Sequence, residues 1–384
     1  MSRSQTPGAS TPPPWHLPRT TRGLLAAGVV LATTACSPIY VLKAGLAQAR
    51  IMAARQPMTE VIVDPETPPE VRDKLTLALE AREFARDVLA LDVGESYTSF
   101  AQLESDTLAM VLSAAYRDRL EPRTWWFPVV GRVPYRGFFD LDEALDEQSS
   151  LEDEGFDTLL RPTSAFSTLG WFADPLMSTL LRRDAVDLVE TILHELSHNH
   201  LFVPGQVRFN ESYATFVGRA GAIEFFCTRE GGGPDTVWCE RAQARWRDAL
   251  RWSRFMDAFI AELQAVYGDA DLAFDAKIAA REQVYSDFKA RYERDVMPAF
   301  ESIRFGGFLS EPLNNAVLLG QMRYYHRLEG FDGLLETHGS VKQAVAAIVA
   351  HVEQGGDPFE LLGPAVLPDA TAEVNSVVRD PVPR

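Results

Sequence analysis

The spacing of apolar residues changes twice along the chain and divides it into a helical start, a strand-rich middle and a long helical half. Residues 67–91 carry apolar side chains at helical spacing, with Thr67 as the expected N-terminal cap. From about Thr107 to Phe139, β-branched and aromatic residues interrupted by Pro and Gly predict short strands. Helical spacing returns at Asp184 and continues to about Val352. This order predicts an α+β fold that is mostly helical.

Glycine and proline mark the expected breaks in the second helical part. These breaks are expected near Pro204, Gly231 to Pro234, Gly268, Gly306 and Gly330. Before that part, the acidic residues 140–155 are expected to be helical, and residues 156–172 again have strand character. Since no internal repeat or low-complexity linker interrupts the order, we expect a single domain over residues 37–384.

The N-terminal segment has the pattern of an export signal. Residues 1–22 contain arginine and no acidic residue, and the apolar run at residues 23–35 is too short to cross a bilayer. The run ends at Cys36 in a context that resembles a bacterial lipobox, although Thr33 stands where Leu, Val or Ile is usual. We expect residues 1–36 to be a signal peptide with Cys36 as the lipidation site. Cleavage to a free periplasmic form is the alternative.

Charge and cysteine content narrow the classes of partner and site. A formal net charge of −17 argues against nucleic-acid binding, because phosphate contacts need clustered Lys and Arg. In an exported protein, Cys227 and Cys239 flank a Gly-Pro turn and are expected to form a disulfide, with two buried thiols as the alternative. Neither is expected to bind metal, since no third Cys and no nearby His completes a set.

The motif HELSH at residues 194–198 carries the strongest chemical signal. On a helix, His194 and His198 project from one face, one turn apart, so both imidazoles can reach one tetrahedral zinc ion. Glu195 lies about 100° around the helix, where it can flank the metal and polarise a bound water. The opposite face is apolar and is expected to be buried in the core. It carries Leu188, Val189, Ile192 and Leu196.

The third ligand separates the classes of HExxH site. Leu201 and Pro204 stand where the HExxHxxGxxH class requires Gly and His, so that class is excluded. His200 points to the other side of the helix and is expected to be a cap or a solvent residue. The candidate ligand is Glu211, in the first turn of a second helix that starts near Asn210. Such a His₂Glu set binds catalytic zinc in thermolysin-like enzymes, while a carboxylate favoured only by the helix dipole is the alternative.

Hydrolysis at such a centre would need an acid–base group and a hydrogen-bond donor. Zinc lowers the pKa of its bound water, and Glu195 is expected to take the proton and pass it to the leaving amine. Tyr324 is the candidate donor to the developing oxyanion, with Tyr325 and His326 as neighbours that could serve instead. For each of these three, packing in the helical part is the alternative role.

Two features just before the HELSH helix are candidates for substrate contact. The order of elements resembles that of zincin-type metallopeptidases, in which the last strand before the active-site helix pairs with the substrate backbone. The resemblance implies this role for residues 165–172, which include Gly170 and Trp171, and an ordinary edge strand is the alternative. Asp174 could hold the free ammonium group of a peptide. An Asp before Pro175 is also a natural helix cap, so this second role stays open.

These motifs together resemble known metallopeptidases. HELSH followed by NESYAT looks like the gluzincin pattern, and NESYA is similar to the Asn-Glu-Gly-Phe-Ala segment of aminopeptidase N relatives. The spacing between His198 and Glu211 is shorter than in aminopeptidase N or thermolysin. A closer similarity is to a bacterial family of predicted aminopeptidases that are zinc lipoproteins. The segments that carry it run from about Cys36 to Phe331 and include TPPEVRDKLTLALEAREFA, YRGFF, STLGWFADPLMST, HELSH, FNESYAT and LNNAVLL.

The resemblance implies a membrane-anchored zinc peptidase with a zincin-like fold, in which a small sheet precedes a helical half. Zn²⁺ would be bound by His194, His198 and Glu211, and N-terminal residues would be released from peptide substrates. We expect a periplasm-facing lipoprotein, and Ser37 after Cys36 is compatible with sorting to the outer membrane. The alternatives are an envelope endopeptidase for misfolded proteins and a zinc-binding lipoprotein scaffold without turnover.

Overall fold

The protein is described by a computed structural model that covers residues 51–103, 109–127, 131–163 and 173–363. Helices dominate, and short strands precede the long helical half, as the apolar spacing predicts. Helices α1 to α11 span Met58–Val63, Pro69–Asp87, Leu141–Asp153, Ala185–His200, Val207–Thr228, Val237–Gly268, Phe274–Arg291, Gly307–Ser310, Asn315–Tyr324, Leu328–His338 and Val341–Glu353. Strands β1 to β8 span Arg55–Pro57, Ser99–Ala101, Ala109–Ala115, Trp125–Phe127, Gly131–Val133, Arg136–Phe138, Asp157–Thr163 and Leu176–Met177.

The strands form three small sheets in the described part of the chain, whereas the sequence predicts one. In the sheet nearest the helical half, β3 pairs antiparallel with both β6 and β7. A second sheet has the order β1-β2-β8, and β4 and β5 form a two-stranded ribbon. Pro128 and Pro134 directly follow β4 and β5 in the sequence. Proline lacks the N–H that would extend a sheet ladder.

The main core lies around helix α4, which carries the HELSH motif. The predicted apolar face of this helix is confirmed, since Leu188, Val189, Ile192 and Leu196 are all fully buried. Helices α2 and α5 pack on that helix, and side chains from all three share one core cluster. A separate aromatic cluster joins α6, α7 and α9. The helix with the motif is therefore held from several sides.

The first long helix begins later than its sequence predicts. Its first residue is Pro69, and Pro68 occupies the N-cap position without a side-chain cap. The Thr67 hydroxyl instead donates to the carbonyl oxygen of Val61 at 2.7 Å, so the predicted cap is wrong. A proline in the first turn needs no amide partner, which lets the helix start there.

The helix break predicted near Gly330 is present at residues 325–327, although Gly330 itself is helical. It lies inside α10, and the chain changes direction just before that helix at Arg327, whose φ is 55°. A Cβ at Gly330 would lie 2.6 Å from the Cβ of Leu362. The glycine therefore allows the segment after α11 to pack closely on α10, which apolar spacing alone does not reveal.

A disulfide closes the connection between α5 and α6. Cys227 and Cys239 are bonded, with Cα atoms 4.9 Å apart. A loop of this length contributes roughly 3 kcal/mol on the chain-entropy model. The bond fixes the end of α5, the helix that carries Glu211.

Several predictions from sequence fall on residues that the structure does not describe. These are the signal peptide at residues 1–36 with Cys36, and the substrate strand at residues 165–172 with Gly170 and Trp171. Among the described helices, none combines the length and apolar character that a membrane-spanning segment requires.

Candidate metal centre

Helices α4 and α5 run antiparallel and present the motif residues to each other. Asp184 caps α4, and its carboxylate accepts the backbone N–H groups of Val186 and Asp187 at 3.0 and 3.1 Å. Near the end of α4, His198 faces Glu211 of α5, and one turn earlier His194 contacts Gly218 of α5. The two helices thus bring residues that lie far apart in sequence to one place.

Two imidazoles and one carboxylate converge there. The Oε2 atom of Glu211 lies 3.4 Å from Nε2 of His194 and 3.7 Å from Nε2 of His198. One candidate ligand atom from each residue lies within 4.8 Å of the others. Ligand atoms of a tetrahedral zinc site with bonds of about 2.0–2.1 Å lie about 3.3–3.4 Å apart. The donor set and its spacing therefore fit a zinc ion.

The carboxylate of this group is ionised. Burial would raise the pKa of Glu211, but the adjacent imidazoles of His194 and His198 outweigh it and hold that pKa well below its usual range. Burial would lower the pKa of His198, but the neighbouring carboxylate of Glu211 reverses the direction and raises it. Since imidazoles bind metal in the neutral form, metal binding here would release protons.

Glu211 lies in the second turn of its helix, not in the first as its sequence predicts. Helix α5 begins at Val207, so Glu211 is its fifth residue. Asn210 does not start the helix. Its buried amide accepts the N–H of Val203 and donates to the carbonyl of the same residue, each at 2.9 Å. The helix dipole acts mainly within the first turn, so it does not explain a carboxylate at this position.

Ser212, the residue after Glu211, connects α5 to the end of α9. The Ser212 hydroxyl donates to the carbonyl oxygen of Arg323 at 3.1 Å and accepts the N–H of His326 at 3.3 Å. These two residues lie on either side of Tyr324. Asn210 and Ser212 therefore hold the chain immediately before and after Glu211, one toward α4 and the other toward α9.

Gly218 sets the distance between α4 and α5. A Cβ at this position would lie 2.6 Å from the carbonyl oxygen of Glu190 and 3.2 Å from the Cβ of His194. Both neighbours belong to α4, and the first is backbone that cannot turn aside. Only glycine lets the helices approach closely enough for Glu211, two turns earlier, to reach the histidines.

Gly218→Ala is expected to destabilise the protein by about 1–3 kcal/mol, because the added methyl group forces the two helices apart. The same displacement should weaken metal binding. Thermal unfolding and a zinc titration check both effects. Gly333→Ala is the matched control, since Gly333 lies inside helix α10 with open space around its missing Cβ. That variant should gain up to about 1 kcal/mol from helix propensity. Equal stability and zinc affinity in both variants would contradict the role of Gly218.

A cavity of about 880 Å³ opens on the three converging residues. It lies within the range of ligand sites, about 300–1,000 Å³. His194, Glu195, His198 and Glu211 all line it, together with residues of β3, β5, β7 and α9. Glu195 makes no ion pair with another described residue, so its carboxylate faces the cavity without a counter-charge.

Tyr324 lies beside the centre. Its ring centroid is 6.1 Å from that of His194, and its hydroxyl oxygen accepts a hydrogen bond from Nη2 of Arg161 at 3.3 Å. The negative charge of Glu211, together with burial, raises the pKa of Tyr324 to about 12. The phenol is therefore protonated at neutral pH, and with its oxygen accepting from Arg161 it can donate its own hydrogen into the cavity.

The two neighbours of Tyr324 have other partners. Tyr325 also lines the cavity, but its hydroxyl accepts a hydrogen bond from Arg219 at 3.4 Å. His326 is not among the residues that line the cavity, and its Nδ1 atom lies 2.8 Å from Oδ1 of Asp257. Of the three candidates, Tyr324 alone contacts a ring of the converging histidines.

The helix cap considered for Asp174 is not found, and its contact with substrate stays a prediction. Asp174 is 4% exposed and lies outside the described lining of the cavity. No helix begins at Pro175, because strand β8 follows and pairs with β2. His200 is the last residue of α4, and its Nδ1 atom accepts the N–H of Asp92 at 3.1 Å. His200 therefore lies outside the group of three ligands, as expected.

The cavity residues that were not predicted from sequence include Tyr135, Arg161 and Arg323. The segments YRGFF, DTLLRPTS and GQMRYYHRLEG carry them, and the only signal in each is the tyrosine or arginine itself. That signal is weak without knowledge of strand pairing. Arg161 reaches the site because β7 pairs with β3, and Arg323 because α9 packs on the same strands.

A family model described as "Putative aminopeptidase" matches residues 39–357. The chain belongs to this family. The match spans the three converging residues, Glu195 and Tyr324, and it confirms the family predicted from sequence. A search of curated proteins and a search of solved structures each gave no match. The gluzincin assignment and the lipid anchor of this aminopeptidase family member stay predictions.

Proposed function

We propose that this member of the aminopeptidase family is a zinc-dependent peptidase, with the metal held by His194, His198 and Glu211. One observation carries the proposal: two imidazoles and an ionised carboxylate converge at zinc-ligand spacing on the wall of a large cavity. The family supports peptide substrates. A scaffold that only bound zinc would have no need for Glu195 and Tyr324 to face the same cavity.

The residues of the chain divide the chemistry among them. Zinc, when bound, supplies a Lewis acid that polarises the scissile carbonyl and makes water more acidic. Glu195, which has no counter-charge, accepts a proton from the attacking water and then donates it to the leaving amine. Tyr324 donates a hydrogen bond to the oxyanion that develops on the former carbonyl oxygen. Arg161 holds the hydroxyl of Tyr324 in position for that donation.

Tyr324→Phe is expected to lower kcat about 10²–10³-fold, because one donor to the developing oxyanion is lost. The metal content should not change, since Tyr324 is not one of the three ligands. Steady-state kinetics on a cleaved peptide, together with metal analysis, tests this. Tyr325→Phe is the control, as its hydroxyl is directed to Arg219. If the two variants had equal activity, Tyr324 would not be the donor.

We further propose that the enzyme releases N-terminal residues, in line with the description of the family. The full-length protein should contain one zinc ion per chain and should hydrolyse amino-acid anilides and unblocked dipeptides. A chelator should abolish both activities, and added zinc should restore them. Cleavage only of internally quenched peptides with blocked ends would indicate an endopeptidase instead. Full activity in chelated, zinc-free protein would contradict the zinc-dependent proposal.

We also propose that the enzyme is anchored at Cys36 and faces the periplasm, most simply from the outer membrane. The support is the export pattern of residues 1–36. Membrane fractionation of cells that express the Cys36→Ser variant tests the anchor. The variant should leave the membrane fraction, and retention there would contradict lipidation at this cysteine.

A further inference from the structure

Among the described residues that line the cavity, each acidic side chain outside the metal centre is paired with arginine. Four acidic residues line the described cavity, and two of these, Glu195 and Glu211, belong to the centre. Asp187 and Glu190 share Arg245, whose Nη2 atom lies 3.0 and 2.7 Å from their carboxylate oxygens, and each has a second arginine within 4 Å. The remaining charge of the cavity is therefore positive.

Arg323 supplies one of the positive charges without a counter-ion. It is 6% exposed, and its Nη2 atom donates to the Ser113 hydroxyl at 3.1 Å. Its guanidinium lies 5.1 Å from the ring centroid of Tyr135. Arg323 forms no ion pair with a carboxylate in the described ranges. A buried charge without a partner is costly, so such groups in proteins commonly have a binding role.

Arg161 supplies the second charge, from strand β7. Its contacts are the hydrogen bond to the Tyr324 hydroxyl and the face of the same ring, 5.8 Å from the guanidinium carbon. It too lacks an ion pair with any described carboxylate. Burial and the charge of Arg161 lower the pKa of Arg323, while Tyr324, Tyr135 and the charge of Glu211 oppose them, so Arg161 and Glu211 both lie within electrostatic range of Arg323.

The other arginines of the cavity differ from these two. Arg183 pairs with Asp187 at 2.8 Å, and Arg219 lies 3.9 Å from Glu190. Arg132 is exposed and donates to a threonine hydroxyl at 3.4 Å. Arg161 is half-buried and Arg323 is buried, and neither forms an ion pair with a described carboxylate. A planar guanidinium binds carboxylate oxygens through two parallel hydrogen bonds, and a pair of them suits one carboxylate well.

We propose that Arg161 and Arg323 form a binding site for a substrate carboxylate beside the metal centre. The proposal rests on the proposed function and names the substrate class for it. Tyr324 contacts both His194 and Arg161, so the carboxylate would lie close to the scissile bond. The carboxylate comes either from the C-terminus of a very short peptide or from an acidic side chain next to the cleaved bond.

Binding to an inactive variant tests the site independently of hydrolysis. The full-length Glu195→Gln protein is titrated by calorimetry with Ala-Leu and Ala-Leu amide, and separately with Ala-Glu amide and Ala-Gln amide. One of the two carboxylate ligands is expected to bind at least about tenfold more tightly than its amide partner, as for a charged hydrogen bond. The comparison is Ala-Leu with Ala-Leu amide in the first pair, and Ala-Glu amide with Ala-Gln amide in the second. The pair that shows the preference identifies the source of the carboxylate.

Adding Arg161→Gln or Arg323→Gln to the Glu195→Gln protein should abolish the preference, so that the two ligands of the pair bind with about equal affinity. Arg132→Gln removes the same charge from the exposed wall of the cavity and should leave the preference intact. Melting temperatures show whether each variant is folded, and if Arg323→Gln is not, Arg161→Gln decides. Absence of a preference in both pairs, or its persistence in the folded arginine variants, would overturn the proposal. Failure of peptide hydrolysis in the parent enzyme would contradict the proposed function instead.

Discussion

Glu195→Gln is expected to lower peptide hydrolysis by about 10³-fold or more while zinc remains bound. The amide has the size of the carboxylate but cannot accept a proton from the attacking water. Glu195 is not one of the three converging residues, so its replacement leaves the metal ligands in place. The test compares kcat for a cleaved dipeptide with the zinc content per chain, in the variant and in the parent.

His200→Gln is the matched control for this variant, because His200 lies on the same helix outside the cavity. It should retain both zinc and activity. Two results would contradict the role of Glu195. Unchanged hydrolysis in Glu195→Gln would remove this residue from the mechanism, and loss of zinc would make it a ligand rather than the base.

Glu211→Ala is expected to weaken zinc binding by more than about 100-fold. Even the replacement of residues that only hydrogen-bond to metal ligands lowers metal affinity about 10–100-fold. The variant leaves two imidazoles without the carboxylate that lies 3.4 and 3.7 Å from them. Activity should be lost with the metal and should return only in part at high zinc concentration. Competition of the purified protein with a chelating dye measures the change in affinity.

Glu224→Ala serves as the control for Glu211→Ala, because Glu224 lies on the same helix and accepts the N–H of Val341 at 2.7 Å, away from the centre. It should bind zinc as the parent does. Full zinc occupancy of Glu211→Ala under chelator competition would discard Glu211 as a ligand, and with it the His₂Glu assignment.

Local sequence patterns predicted much of the site. The buried face of α4 and the projection of His194 and His198 from the other face follow from helical periodicity within one segment. The approach of Glu211 required only one further step, the break near Pro204 that reverses the chain. These features depend on neighbours in sequence, so a single chain is enough to find them.

Other parts of the site depend on contacts between distant segments and could not be predicted. Arg161 and Arg323 lie 162 positions apart and reach one cavity only because strand β7 and helix α9 meet at β3. The need for glycine at position 218 is set by a backbone carbonyl on another helix. Thr67 was predicted to cap a helix on residue type alone, yet its hydroxyl donates to the carbonyl oxygen of Val61 instead.

The hydroxyl of Ser212 joins the backbone beside Glu211 to the backbone on both sides of Tyr324. A redesign that shifts Glu211 outward to accept a larger cation would pull the backbone on both sides of Tyr324 and misalign the donor. Among the described residues, no hydrogen bond joins helix α4 to residues 323–326, and His194 contacts Tyr324 only through its ring. A change of ion preference at the proposed centre that preserves turnover would therefore have to be made at His194 or His198.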